Sequence, residues 1–137
     1  MTTNSAIQEI KSKFESLGNT AEIQLLKKGK SFTATLRSDG IEVSNLHTQK
    51  LIEWIAFEEA MHVLIKAGPE TRVPKGNAMN GKLGDAKLPK ESIEGHLALT
   101  VYKKEEGSSV FRRISPIAAI LSWAGLCING RGFLLLR

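Results

Sequence analysis

The stretch from Ala21 to Val43, AEIQLLKKGKSFTATLRSDGIEV, has a hydrophobic period of two. Ile23 and Leu25, then Phe32, Ala34 and Leu36, then Ile41 and Val43 alternate with polar residues, which puts each apolar set on one face of an extended chain. The alternation is broken at Lys28-Gly29-Lys30 and at Ser38-Asp39-Gly40. An Asp-Gly pair between alternating runs signals a hairpin, because both residues tolerate a positive φ. The stretch therefore predicts a three-stranded antiparallel meander with one apolar face, and that face requires a covering layer.

Helices on either side supply the cover. Upstream, Ile7, Ile10, Phe14 and Leu17 recur at spacings of three and four, with Asn4 or Ser5 as cap and Gly18 as stop. Downstream, Ser44 or Asn45 caps a helix expected to run to Lys66, with Leu51, Trp54, Ile55, Phe57, Ala60, Met61 and Leu64 on a wide apolar face. Glu53 projects into that apolar side, where a carboxylate needs a partner; near a helix start the dipole also favours it.

Gly68 to Ile93 is rich in Gly, Pro, Asn and Lys and has no sustained period, so it reads as a long basic loop, expected to be the most mobile segment. Leu97, Leu99 and Val101 then alternate as a strand, with Val110 to Ile114 returning beside it. Ser115-Pro116 opens a short apolar helix that Gly125 stops, and Leu126–Asn129 with Phe133–Leu136 closes the chain as a hairpin around Gly130-Arg131-Gly132. The fold class is α+β: an N-terminal helix, a meander, a long helix packed on the sheet, and a second strand-rich half with a short buried helix. At 137 residues the chain has the size of one domain.

The composition, 42% apolar and 24% charged, is that of a globular protein. The richest apolar run, Ile114 to Leu126, is too short and too interrupted to span a bilayer, so no membrane partner is expected. Met1 to Ser5 lack the basic and apolar parts of a secretory signal, and a lone cysteine, Cys127, suits a reducing compartment, so a cytoplasmic location is expected. Between Leu126 and Ile128, Cys127 reads as a buried hydrophobe.

The net charge of +5 is unevenly placed. Residues 1–60 carry seven Lys/Arg against eight Asp/Glu, and residues 61–137 carry twelve against six. A basic half suggests a polyanionic partner. Lys75, Lys82, Lys87 and Lys90 of the loop, with Arg112, Arg113 and Arg131, are the candidate phosphate contacts, and a non-enzymatic nucleic-acid-binding domain is the expected function. Arg112 and Arg113 should divide their work, since neighbours on a strand point to opposite faces.

Other chemistry has weaker support. Gly76 to Lys82 fits G-x-x-x-x-G-K, but Leu83 stands where a magnesium-binding Ser or Thr belongs, so it reads as an ordinary glycine-rich loop. A metal-dependent nuclease or phosphotransfer enzyme would draw on Asp85, Lys87, Glu91, Glu94 and His96. His47, His62 and His96 lack close ligand spacing, so no metal site is indicated, and no cofactor motif is present. A third reading, a homodimeric interaction module, rests on Phe133–Leu136 being an unpaired sheet edge.

Overall fold

The computed structural model describes residues 1–137, which fold as α+β. Helix α1 (Thr3–Ser16) begins one step before the expected caps: Thr2 accepts from the Ser5 N–H, and Ser5 answers on the Thr2 N–H, a reciprocal capping box. Its buried face is Ala6, Ile7, Ile10 and Phe14. The meander follows as β1 (Thr20–Gln24), β2 (Ser31–Leu36) and β3 (Gly40–Val43), all antiparallel. Ile23, Phe32, Ala34, Ile41 and Val43 turn to the core.

The sheet has a fourth strand that the helical reading of residues 44–66 concealed. Leu51–Glu53 forms β4, paired antiparallel to β3 with Ile52 opposite Ile41, and α2 (Trp54–Ala67) starts only after it. Ile52 satisfies both periods, and the unpaired edge of β3 decides in favour of the strand. Gly40 is required by this pairing and not by turn geometry: its φ is ordinary, but a Cβ there would sit 2.1 Å from the Ile52 carbonyl oxygen. Glu53 ends β4 as the N-cap residue of α2, exposed, and accepts from the Tyr102 hydroxyl at 3.2 Å.

The second half departs more from expectation. Residues 97–100 lie in a helix, α3 (Ile93–Thr100), with Val101 as its C-cap; Ser92 caps its start, its hydroxyl accepting from the Gly95 N–H at 3.0 Å and donating to the Pro89 carbonyl at 2.6 Å. The alternation of Leu97, Leu99 and Val101 misled because Ile93 and Leu97, four apart, form the buried stripe. Residues 110–113 are not a strand, and α4 (Ile114–Trp123) starts two residues earlier than Pro116 suggested. Val73–Pro74 (β5), Cys127–Asn129 (β6) and Phe133–Leu136 (β7) make a second sheet in the order β5-β7-β6. Phe133–Leu136 is thus the central strand, with Leu134 fully buried, so the free edge behind the homodimer reading does not exist.

One core of all four helices and both sheets is joined by a small satellite of Leu83, Leu88, Ala98 and Val110. That satellite corrects the reading of Gly68–Ile93 as a loop without apolar anchors: Leu83 and Leu88 are buried, and the Leu83 N–H and Gly84 N–H bond to Ser108 and Leu88 carbonyls. Burial of two leucines offsets several kcal/mol of ordering entropy. Trypsin is therefore expected to cut first at Lys27, Lys28 or Lys103, all exposed, and to spare Lys82 and Lys87; first cleavage at Lys82 or Lys87 would show that the satellite opens readily.

Candidate functional site

Three connections converge on one concavity. The β1–β2 turn brings Lys27 and Lys30, the segment after β5 brings Lys75, the approach to α4 brings Arg112, and the β6–β7 turn brings Arg131. These five cations line a cleft of about 730 Å³ whose lining includes no Asp or Glu. None of the five is ion-paired: the chain's Lys and Arg ion pairs are Arg37–Glu42 and Lys90–Glu106.

Lys75 is held from both sides. Its N–H donates to the Gly132 carbonyl at 2.9 Å, and its own carbonyl accepts from Glu94 at 2.9 Å, so the side chain has a fixed origin. It is half-buried, whereas Lys27, Lys30, Arg112 and Arg131 are exposed around it. Burial lowers the Lys75 pKa from its ordinary value, the nearby Arg112 charge lowers it further, and Cys127 opposes both. Cys127 itself is buried, with its thiol pushed up to about 12 by burial, as befits a core residue.

Arg112 and Arg113 part as neighbours should, although on irregular backbone. The Arg112 guanidinium reaches into the cleft and donates to the Met79 sulfur at 3.2 Å. Arg113 is only 6% exposed. Its guanidinium lies 3.6 Å from the centroid of Tyr102 and 4.8 Å from that of Phe111, and it donates to Gln49 and to the Phe111 carbonyl. Arg113 therefore cannot reach a phosphate, and its place among the contacts is withdrawn.

Beneath Arg113 sits Glu94, 1% exposed, accepting from the Arg113 N–H at 2.7 Å and the Ile114 N–H at 3.0 Å. A carboxylate borrowed from α3 thus satisfies two donors at the start of α4, which lacks a capping side chain of its own. Burial raises the Glu94 pKa to about 6, against the opposing pull of the two N–H bonds and of Arg113 and Arg112.

The remaining sequence candidates lie elsewhere. Lys82 donates to Ser109 at 2.6 Å, Lys90 pairs with Glu106 at 3.4 Å, and Lys87 is exposed; none lines the cleft. Asp85 accepts from the Lys82 N–H, Glu91 borders a shallow hollow of about 300 Å³ beside His62 and Lys66, and His96 binds Glu59 at 2.8 Å in that hollow. With Glu94 buried at α4, the carboxylates Asp85, Glu91 and Glu94 do not converge, and no group of three or more metal-ligating side chains exists.

Lys27 and Lys30 were missed because the charge count placed the basic excess beyond residue 60. The signal was the run Lys27-Lys28-Gly29-Lys30, read only as a turn. No helix is long and apolar enough to cross a membrane. Comparison of the chain with protein-family models, with curated proteins and with solved structures finds no match in any of the three, which leaves the cleft's own geometry and charge to speak for it.

Proposed function

We propose that this chain is a nucleic-acid-binding domain, acting without catalysis, whose phosphate contacts are made by the basic cleft. The observation that carries the reading is the gathering of Lys27, Lys30, Lys75, Arg112 and Arg131 around one concavity without an acidic residue. Five like charges repel one another, and a fold gains nothing from holding them together unless an anion relieves the repulsion. Phosphates do so and release counterions on binding, which makes affinity fall steeply with salt.

The cleft carries no stacking aromatic, so affinity should come from the backbone of the nucleic acid and not from its bases. Arg112→Ala is expected to weaken binding to every oligonucleotide sequence by a similar factor and to lower the salt slope by about one. Because Arg112 is exposed, the melting temperature should stay near that of the wild type. Fluorescence anisotropy at several salt concentrations, with a melt of each protein alongside, checks this. An unchanged affinity and slope for Arg112→Ala, and again for Lys27→Ala, would remove the cleft from the interface.

A further inference from the structure

We infer that the deep part of the cleft, around Lys75 and Ser115, seats a terminal phosphate monoester of a nucleic-acid strand, an inference that rests on the nucleic-acid reading above. The cleft has the volume of a pocket for a small ligand, about 730 Å³, and not the extent of a groove that tracks a long backbone. It has room for the end of a strand.

Its donors are graded with depth. Arg112, Arg131, Lys27 and Lys30 ring the mouth, exposed and hydrated. Lys75 and Ser115 lie further in, each partly buried. Ser115 is the second residue of α4, and the first helical N–H groups point out along the positive end of the helix. Glu94 takes the N–H groups of Arg113 and Ile114, Pro116 has none, and Ile117 donates to the Arg113 carbonyl, so the Ser115 N–H alone among them has no acceptor in the chain. The Ser115 hydroxyl adds a second donor at the same place.

Asn129 supplies an independent mark. It lines the same cleft, and its Oδ1 is the one buried side-chain polar atom in the protein without a hydrogen-bond partner. A buried polar group without a partner is destabilising, so at Asn129 the wall of the cleft is left unsatisfied by the chain itself.

A half-buried ammonium, a free helix N–H and a hydroxyl suit a group with several acceptor oxygens and more than one negative charge. An internal phosphodiester offers one charge, whereas a monoester at neutral pH offers nearly two and three strong acceptors. The partly desolvated Lys75 discriminates between them, because its charge is screened least by water and gains most from the larger countercharge. The mouth cations then hold the first internal phosphates of the same strand.

The test is anisotropy of the intact protein with one short single-stranded oligonucleotide in three forms: a phosphate at the 5′ end, a phosphate at the 3′ end, or hydroxyls at both. One phosphorylated form is expected to bind tighter than the hydroxyl form by about tenfold, the scale of one added charge-assisted hydrogen bond. Which end gains tells which end is seated. Lys75→Gln should weaken all three forms and abolish the difference between them; if that variant does not fold, Ser115→Ala should shrink the same difference. Equal, salt-dependent affinity for all three forms overturns the terminal-phosphate seat and leaves the nucleic-acid reading standing. Failure of all three to bind at low salt overturns both.

Discussion

Glu94→Ala is expected to lower the stability of the protein by about 3 kcal/mol, since it strands the Arg113 and Ile114 N–H groups in a buried place and opens a small cavity. Glu94→Gln should be far milder, because an amide oxygen accepts the same two bonds. The two proteins differ instead in their pH dependence. The folded protein holds the Glu94 proton up to about pH 6, while the unfolded chain releases it near 4.5. The stabilisation from the neutral carboxyl is therefore fully present below pH 4.5 and is lost as the pH rises through about 6. Relative to Glu94→Gln, the wild type should lose about 2 kcal/mol across that window and change little above it. Denaturant unfolding of both proteins between pH 4 and pH 8, in steps of about half a unit, measures the gap; parallel curves would mean that folding leaves the Glu94 pKa unchanged.

Arg113→Ala is expected to cost about 2 to 4 kcal/mol, since it removes a 6%-exposed side chain stacked on Tyr102 and Phe111 and frees Gln49 of its partner. The guanidinium also helps to keep Glu94 ionised, so its loss should move the Glu94 window to higher pH. A melt of Arg113→Ala beside Arg112→Ala separates the neighbours: the first should melt well below the wild type and the second close to it. Equal melting temperatures would show that the stack contributes nothing.

The contrast between these neighbours marks how far the sequence could be read. Alternation from Ala21 to Val43 led directly to the meander, and the spacing of Ile7, Ile10 and Phe14 to α1, because each element has one buried and one wet face. Arg112 and Arg113 do point apart, the first to the cleft and the second into the core, although neither lies on a strand. Short segments with both faces covered gave no such period. Leu97, Leu99 and Val101 alternate by accident at the end of α3, and Leu51 to Glu53 fit helix and strand equally until the free edge of β3 is known. The cleft was half legible: Lys75, Arg112 and Arg131 stood out, but Lys82, Lys87 and Lys90 do not join them, and Lys27 and Lys30 do. Charge counted along a chain says nothing about which turns meet in space.

The pairing of β5 with β7 joins Val73 to Leu134, about 60 residues apart, whereas every strand of the first sheet meets its neighbour across a short connection. Closing the longer loop costs more entropy, by an amount that grows with the logarithm of its length, so the second sheet is expected to close after the first. Lys75 hangs from one strand of that sheet and Arg131 from the turn between the other two, while Lys27 and Lys30 belong to the first. The cleft is thus complete only when the whole chain has closed, and by mass action a polyanion bound there would hold the chain closed.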